Sequence, residues 1–333
     1  MSDTRESIRE VLQRFDGLGD AEHISRIRQG HSNAAWKVTS AGHSALVKVH
    51  VGYHHRNQVL HEIELLDDLR QRDLPFRIPL YLPDREGHRV ITVGEVVYSV
   101  QEFYEGTPVD PLAMDQVEAA GHALGDLHAS MRQVRSVRPW PVGRRSHLVP
   151  DMATTRVWPG SLATGLSDRT REGIVWLDRT FVELRHDLDP HLVLVPRQLI
   201  HGDYVPGNLL WDQRGISAIL DFEFAAVRSR VLDVAMALLH FVRYWTSQDS
   251  LRTITVFVDG YSASGGLTEW ERSLLVPLMR AQNLSSTVWW IDLALERNLD
   301  RRDIDLRLDR TDELDRWIVE YATDIETSVH GDS

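Results

Sequence analysis

Residues 201–208 read His-Gly-Asp-Tyr-Val-Pro-Gly-Asn, and one short strand pair later the chain continues Leu220-Asp221-Phe222-Glu223. No other stretch constrains the chain as tightly. Asp203 offers a carboxylate that can accept a proton from a hydroxyl. Asn208 and Asp221 offer an amide oxygen and a second carboxylate, hard donors of the kind that hold Mg²⁺ against phosphates. Phosphoryl transfer to a hydroxyl needs this set of groups. A plain turn of Gly, Pro and Asn between two strands would account for 201–208 alone. It would not account for a second carboxylate arriving where a metal ligand is required.

Periodicity divides the rest of the chain into a strand-rich beginning and a helix-rich remainder. An amphipathic helix over Thr4–Phe15 carries Ile8, Val11, Leu12 and Phe15 on one stripe. Strand-like runs follow at Ile24–Ile27, Ala35–Val38 and Ala45–Val49, then a helical pattern from Gln58 to Arg70. Val90–Val93 and Val96–Val100 read as a hairpin turning at Gly94-Glu95. After Gly106 helical spacing dominates, at Met114–Met131, Arg169–Leu184, Leu232–Tyr244, Glu269–Leu295 and Asp312–Ile325. Strands followed by helices predict an α+β chain in two parts, a sheet-based residues 1–105 and a helical 106–333. Residues 136–161, with Pro139, Trp140, Pro141, Pro150, Trp158 and Pro159, read as a long loop.

Composition adds exclusions. A chain of 333 residues without Cys has no disulfide framework and no thiolate metal site. No apolar run approaches the ~18 residues of a membrane span, and the first residues lack the basic-then-apolar order of a secretory signal. A soluble, cytoplasmic protein without membrane association is expected. A formal charge of −12 argues against nucleic acid as a partner, because its phosphates would be repelled.

The spacing of Asp203 and Asn208 equals that of the H-R-D-x-x-x-x-N catalytic loop of protein kinases, with Gly202 in place of Arg. That substitution, with the Asp-Phe-Glu form, resembles the aminoglycoside phosphotransferase and homoserine kinase-like superfamily of small-molecule kinases. The resemblance spans roughly Ile24 to Leu295. It implies a two-lobed protein-kinase-like fold, with a small antiparallel-sheet lobe at the N-terminus and a larger, mainly helical C-terminal lobe. It also implies ATP and Mg²⁺. Asp203 is then the catalytic base, and Asn208 and Asp221 the metal ligands. Gly30-His31-Ser32-Asn33-Ala34-Ala35-Trp36-Lys37-Val38 resembles the family's phosphate-covering loop, which makes Gly30, Ser32 and Asn33 nucleotide-binding candidates. Lys48 lies where kinases place the lysine that holds the phosphates, and a strand lysine between apolar neighbours is costly to bury without an anion. Its family partner is a Glu on the next helix, Glu62 by best match, with Glu64 as the alternative. Gln101, Glu102 and Phe103 resemble the hinge that reads the adenine edge through the main chain. His128 and His201 are read as structural, and Asp233 as a carboxylate that starts a helix or braces the loop. Val205 departs from the family, which often has His there.

The acceptor is a small molecule with a hydroxyl. Phe257-Val258-Asp259-Gly260-Tyr261 and Leu267-Thr268-Glu269-Trp270-Glu271 resemble a run in homoserine kinase-like members. Asn283, Thr287 and Trp290 form a polar and aromatic stripe that could face the acceptor or be a surface face with one packed Trp. Glu223 belongs to the metal shell, the loop or the acceptor. Asp303, Asp305, Asp309, Asp312, Glu313 and Asp315, interleaved with Arg301, Arg302, Arg307 and Arg310, read as a solvated charged helix. The leading expectation is an ATP- and Mg²⁺-dependent kinase of a small polar metabolite. An antibiotic-modifying phosphotransferase is the alternative, and a pseudokinase scaffold is the alternative of another class. No A-P-E segment follows Asp221, which disfavours a protein kinase.

Overall fold

Alternating side chains make the first sheet. In β2 (Ala34–Ser40) the residues Trp36, Val38 and Ser40 are buried on one face, and Ala35, Lys37 and Thr39 point to the other. The computed structural model describes residues 2–27, 34–51, 55–134, 167–192, 194–243, 247–296 and 301–330. Within them β1 (His23–Ile27), β2, β3 (His43–Val51), β4 (Ile91–Val93) and β5 (Val96–Glu102) form an antiparallel sheet in the order β1-β2-β3-β5-β4. One face carries Trp36, Val38, Ala45, Val47, Val49, Tyr98 and Val100, packed with Ile8, Val11, Leu12 and Phe15 from α1 (Ser2–Leu12) and the turn after it.

Register assigns the opposite face. Ala35 pairs with Lys48, Lys37 with Leu46, Lys48 with Ser99 and Leu46 with Gln101, and directly paired residues share a face. Helix α2 (His55–Leu69) contributes Glu62 beside Lys48. A second, three-stranded sheet, β6-β8-β9, is built from β6 (Thr107–Pro108), β8 (Leu209–Asp212) and β9 (Gly215–Ile219). Of the described residues, those within 2–108 and 207–223 belong to one compact unit, and those within 109–132, 167–206 and 224–330 belong to the other.

The second unit is mainly helical. It holds α3 (Met114–Met131), α4 (Asp168–Leu192), the strand pair β7 (Arg197–Ile200) and β10 (Ala226–Ser229), then α5 (Val231–Val242), α6 (Ser247–Ser262), α7 (Glu269–Ser273), α8 (Leu275–Glu296), α9 (Arg301–Glu320) and α10 (Ala322–His330). Eleven of the twelve residues of α5 are buried, so it is a core helix apolar on nearly every side. Helices α3 and α6 approach until only glycine fits. A Cβ on Gly121 would stand 2.2 Å from the Phe257 carbonyl oxygen, and one on Gly260 2.2 Å from that of Glu118. The chain is therefore α+β, with an antiparallel-sheet unit and a helical one. No helix of the described residues is long and apolar enough to cross a membrane.

Three sequence expectations change. Glu269–Leu295 is two helices, because Pro277 lacks an N–H and fits only a first turn, so α8 begins afresh at Leu275. Asp312–Ile325 straddles the end of α9 and the start of α10. Ser247–Ser262 is a helix that periodicity did not announce. Its β-branched run Thr253-Ile254-Thr255-Val256 has strand propensity, which packing against α3 overrides. The 136–161 loop lies outside the described residues.

Candidate active site

In the sheet unit, Lys48 Nζ bonds Asp221 Oδ1 at 2.9 Å across 173 positions of sequence. The lysine side chain is only 10% exposed. Burial alone would lower its pKa, but Asp221, Glu62 and Glu223 together outweigh it and raise the value, so the ammonium stays charged. Glu62 is buried, and that burial raises its pKa despite the nearby lysine. One of its oxygens, Oε1, has no hydrogen-bond partner among the described residues. Glu64 is exposed and lies 3.9 Å from His61 Nδ1, so Glu62 is the acid beside Lys48. Tyr81 also reaches this cluster. It is fully buried, and burial together with Glu62 raises its pKa well above the usual phenol value, so it stays neutral. Sequence reasoning missed Tyr81 because residues 71–89 carry no periodic signal.

The hairpin β8–β9 brings the proposed metal ligands together. Leu209 pairs with Ile219, and Leu220 N–H donates to the Asn208 carbonyl at 2.8 Å, so Asp221 emerges next to Asn208. Asp221 adopts φ 63°, a left-handed conformation that Asp and Asn tolerate better than other side chains. Asn208, Asp221 and Glu223 are all half-buried oxygen donors. Hard oxygens beside a buried, still unsatisfied carboxylate oxygen fit a divalent cation of the Mg²⁺ type.

On the sheet face shared with Lys48, Gln101 is buried and its Nε2 has no hydrogen-bond partner among the described residues. Glu102 N–H already donates to the Leu80 carbonyl at 2.9 Å. That bond uses the Glu102 N–H within the sheet unit, and the Glu102 carbonyl is the main-chain group of this residue left to face a base. The Phe103 ring lies 4.1 Å beneath the Lys37 ammonium, which also bonds Glu105 at 2.7 Å. Gly30, Ser32 and Asn33 lie outside the described residues.

In the helical unit, Asp233 on α5 holds the segment that carries Asp203. The Asp233 carboxylate is buried and accepts from His201 N–H at 2.7 Å and Gly202 N–H at 2.8 Å. It also accepts from His128 Nε2 at 3.0 Å, while His128 Nδ1 takes the Tyr261 hydroxyl at 2.9 Å. Asp203 N–H donates to His201 Nδ1 at 3.1 Å, which makes His201 a brace for the loop. Tyr204 is buried and donates to the Ala120 carbonyl at 2.8 Å. The backbone around Asp203 is thus fixed on both sides, while its carboxylate stays half-buried.

Gly202 explains why no larger residue stands before Asp203. Its φ is +83°, and an added Cβ would meet the Phe224 carbonyl oxygen at 2.3 Å. Gly202→Ala is expected to cost about 1–3 kcal/mol from the left-handed backbone alone, with the clash adding to it. Denaturant unfolding of the two proteins measures this, and equal midpoints would refute the steric reading.

The Asn283–Thr287–Trp290 stripe is not a surface face, because Asn283 and Thr287 are buried. Asn283 Nδ2 donates to the Thr311 carbonyl at 2.8 Å, and Thr287 Oγ1 bonds Thr311 Oγ1 at 2.6 Å. Both are buried against α9, so their polar groups join helices, and Trp290 is half-buried on α8. The Leu267–Glu271 run is a capping box. Thr268 Oγ1 accepts from Glu271 N–H, and Glu271 Oε2 accepts from Thr268 N–H at 2.9 Å. Glu271 also receives Arg230 in two bonds, of 2.8 and 2.7 Å.

A family model described as the phosphotransferase enzyme family matches residues 23–274. The homoserine kinase of Zymomonas mobilis is 22% identical over 280 residues, covering 84% of this chain and 83% of its own. That of Methylobacterium radiotolerans is 25% identical, covering 72% of this chain and 78% of its own. Among solved structures, a microcompartment-associated aminopropanol kinase superposes with a TM-score of 0.72 at 18% identity, covering 97% of this chain and 99% of that one. An amicoumacin kinase in complex with AMP-PNP and Ca²⁺ gives 0.70 at 16% identity, covering 97% and 93%. The fold is the two-lobed protein-kinase-like one.

Proposed function

The chain belongs to the phosphotransferase enzyme family and is a small-molecule kinase, and from that premise we propose that it moves the γ-phosphoryl group of ATP, with Mg²⁺, onto a hydroxyl of a small polar metabolite. One observation carries the reading. A buried ammonium, Lys48, is held against Asp221, the carboxylate that ends the motif opened by Asp203. A lysine buried on a strand needs an anion, and nucleotide phosphates supply one when they enter.

The roles follow from charge and position. Lys48 binds and orients the phosphates, and Glu62 sets the lysine's place from below. Asn208 and Asp221 would hold Mg²⁺, which when bound neutralises charge building on the phosphates. Asp203, its backbone fixed through Asp233 and His201, aligns the acceptor hydroxyl and accepts its proton. The transition state of phosphoryl transfer is loose, so alignment contributes more than basicity. Rigid anchoring of the 201–204 backbone serves that alignment.

ADP release across amino alcohols, hydroxy amino acids, amino sugars, choline-like compounds and aminoglycosides tests this function. The expected result is ATP- and Mg²⁺-dependent turnover confined to one class. Turnover by none, with ATP bound, would overturn the assignment. Lys48→Ala is expected to lower kcat/KM for ATP by about 10- to 100-fold, the scale of a lost charge-assisted contact. Unchanged ATP KM and kcat would remove Lys48 from the nucleotide site.

A further inference from the structure

Three buried polar atoms of the sheet unit have no hydrogen-bond partner among the described residues: Glu62 Oε1, the Tyr81 hydroxyl and Gln101 Nε2. Their residues are 1%, 2% and 2% exposed, so bulk solvent does not reach them. A buried polar group left unpaired is costly, and three in one neighbourhood call for a shared partner. Backbone pairing brings two of them together. Tyr81 forms an antiparallel bridge with Gln101, flanked by Leu82 N–H on the Val100 carbonyl at 2.8 Å and Glu102 N–H on the Leu80 carbonyl at 2.9 Å. Directly opposed residues share a face, and for Gln101 that face is the one that carries Lys48. Glu62 reaches the same place from α2. Burial first and then the Glu62 charge raise the Tyr81 pKa, and Tyr81 in turn pulls the Glu62 pKa down against the burial that raises it.

The chemistry of the three atoms is complementary. Tyr81 is a neutral phenol that offers an O–H, Gln101 offers an amide N–H, and Glu62 Oε1 accepts. A water that accepts from Tyr81 and Gln101 and donates to Glu62 Oε1 makes about three bonds, the usual number for a buried water. The Glu62 carboxylate also accepts from the Phe222 N–H, so it is held from a second side. What the arrangement positions is the lysine. The Lys48 ammonium donates to Asp221, and among the described residues its direct ion pair is with that carboxylate. Glu62 acts on Lys48 through its charge. A carboxylate that works through its field has to be kept at a fixed distance by other groups.

We propose that Tyr81 and Gln101 are positioning residues of the nucleotide site: through one shared buried water they hold the Glu62 carboxylate, which keeps the Lys48 ammonium aimed at the nucleotide phosphates. This rests on the phosphotransferase reading and adds to it two side chains that no motif marks. Gln101, expected to serve through its main chain, then serves through its amide as well.

A crystal structure of the full chain grown with Mn²⁺ tests the water. Calorimetric titrations with ATP and with adenosine, which carries no phosphate, test the role. The expected density is a water without anomalous signal, within hydrogen-bonding distance of Glu62 Oε1, Tyr81 Oη and Gln101 Nε2. Tyr81→Phe keeps the ring and removes only the hydroxyl. It is expected to raise the ATP Kd by about 3- to 15-fold, the scale of one hydrogen bond, and to leave the adenosine Kd within about two-fold. Gln101→Met, a second variant of similar length, should do the same. The double variant should lose little more than either single one, because both donors act through one water. A direct Tyr81–Glu62 bond with no water between them, or a Mn²⁺ peak on Glu62 Oε1, would overturn the water site, and so would losses that multiply in the double variant. If wild type binds ATP, an unchanged ATP Kd in both variants overturns the positioning role and leaves the phosphotransferase reading intact. An equal loss for ATP and adenosine overturns it too, since it marks general damage to the nucleotide site. Wild type that binds no ATP would refute the phosphotransferase reading and the positioning role together, with the density still deciding the water.

Discussion

Asp203→Asn is expected to lower kcat by about 10²–10⁴-fold, the contribution of a positioned general base, or about 3–5 kcal/mol of barrier. The substitution keeps the shape of the side chain and removes only the proton acceptor. The local backbone should hold, since Asp233 binds the His201 and Gly202 N–H groups and His201 Nδ1 takes the Asp203 N–H without using the Asp203 side chain. Directly measured ATP affinity should therefore stay within a few-fold, with Lys48, Asn208 and Asp221 intact. Loss of ATP binding in parallel with turnover would make Asp203 a metal ligand or a brace. Near-normal kcat would remove it from the mechanism.

Asp221→Asn should be the most damaging substitution, with turnover falling by roughly 10³-fold or more as several kcal/mol of charge stabilisation is lost. Two consequences add. The charge that attracts a divalent cation disappears, and Lys48 loses the carboxylate 2.9 Å from its ammonium. The fold should survive, because Asn tolerates the left-handed backbone at φ 63° that Ala would strain. Partial recovery at raised Mg²⁺ or Mn²⁺ is expected, read as a rightward shift of the metal-activation curve. Wild-type activity at low Mg²⁺ would refute the ligand role.

That Lys48 and Asp221, 173 positions apart, meet in one cluster was legible only through the spacing of the His201–Asn208 and Asp221–Glu223 motifs and the resemblance they carry. The division into strands and then helices was legible from periodicity alone. Three kinds of information were not legible. The first is the choice between Glu62 and Glu64, which lie two positions apart and face opposite ways once α2 packs on the sheet. The second is α6, where β-branched Thr and Val residues argued for strand and the glycine crossing with α3 decided otherwise. The third is partner identity. Along α9 the acids and arginines alternate like a solvated face, and only packing shows that Arg280 and Arg169 satisfy Asp315 and Asp309 while Arg307 is given hydroxyls. Asn283 and Thr287 had the right polarity for a binding stripe, but their orientation depended on where Thr311 lay.

Transfer of phosphate from ATP to a hydroxyl, with Asp203 as the base, leaves a product that can be seen directly. Following the reaction by ³¹P NMR, with the acceptor identified from the ADP-release series, tests it most directly. A new phosphomonoester resonance is expected to grow in step with ADP, dependent on Mg²⁺ and absent over the same period with Asp203→Asn. ADP accompanied only by inorganic phosphate, or an ester formed equally fast by Asp203→Asn, would contradict it.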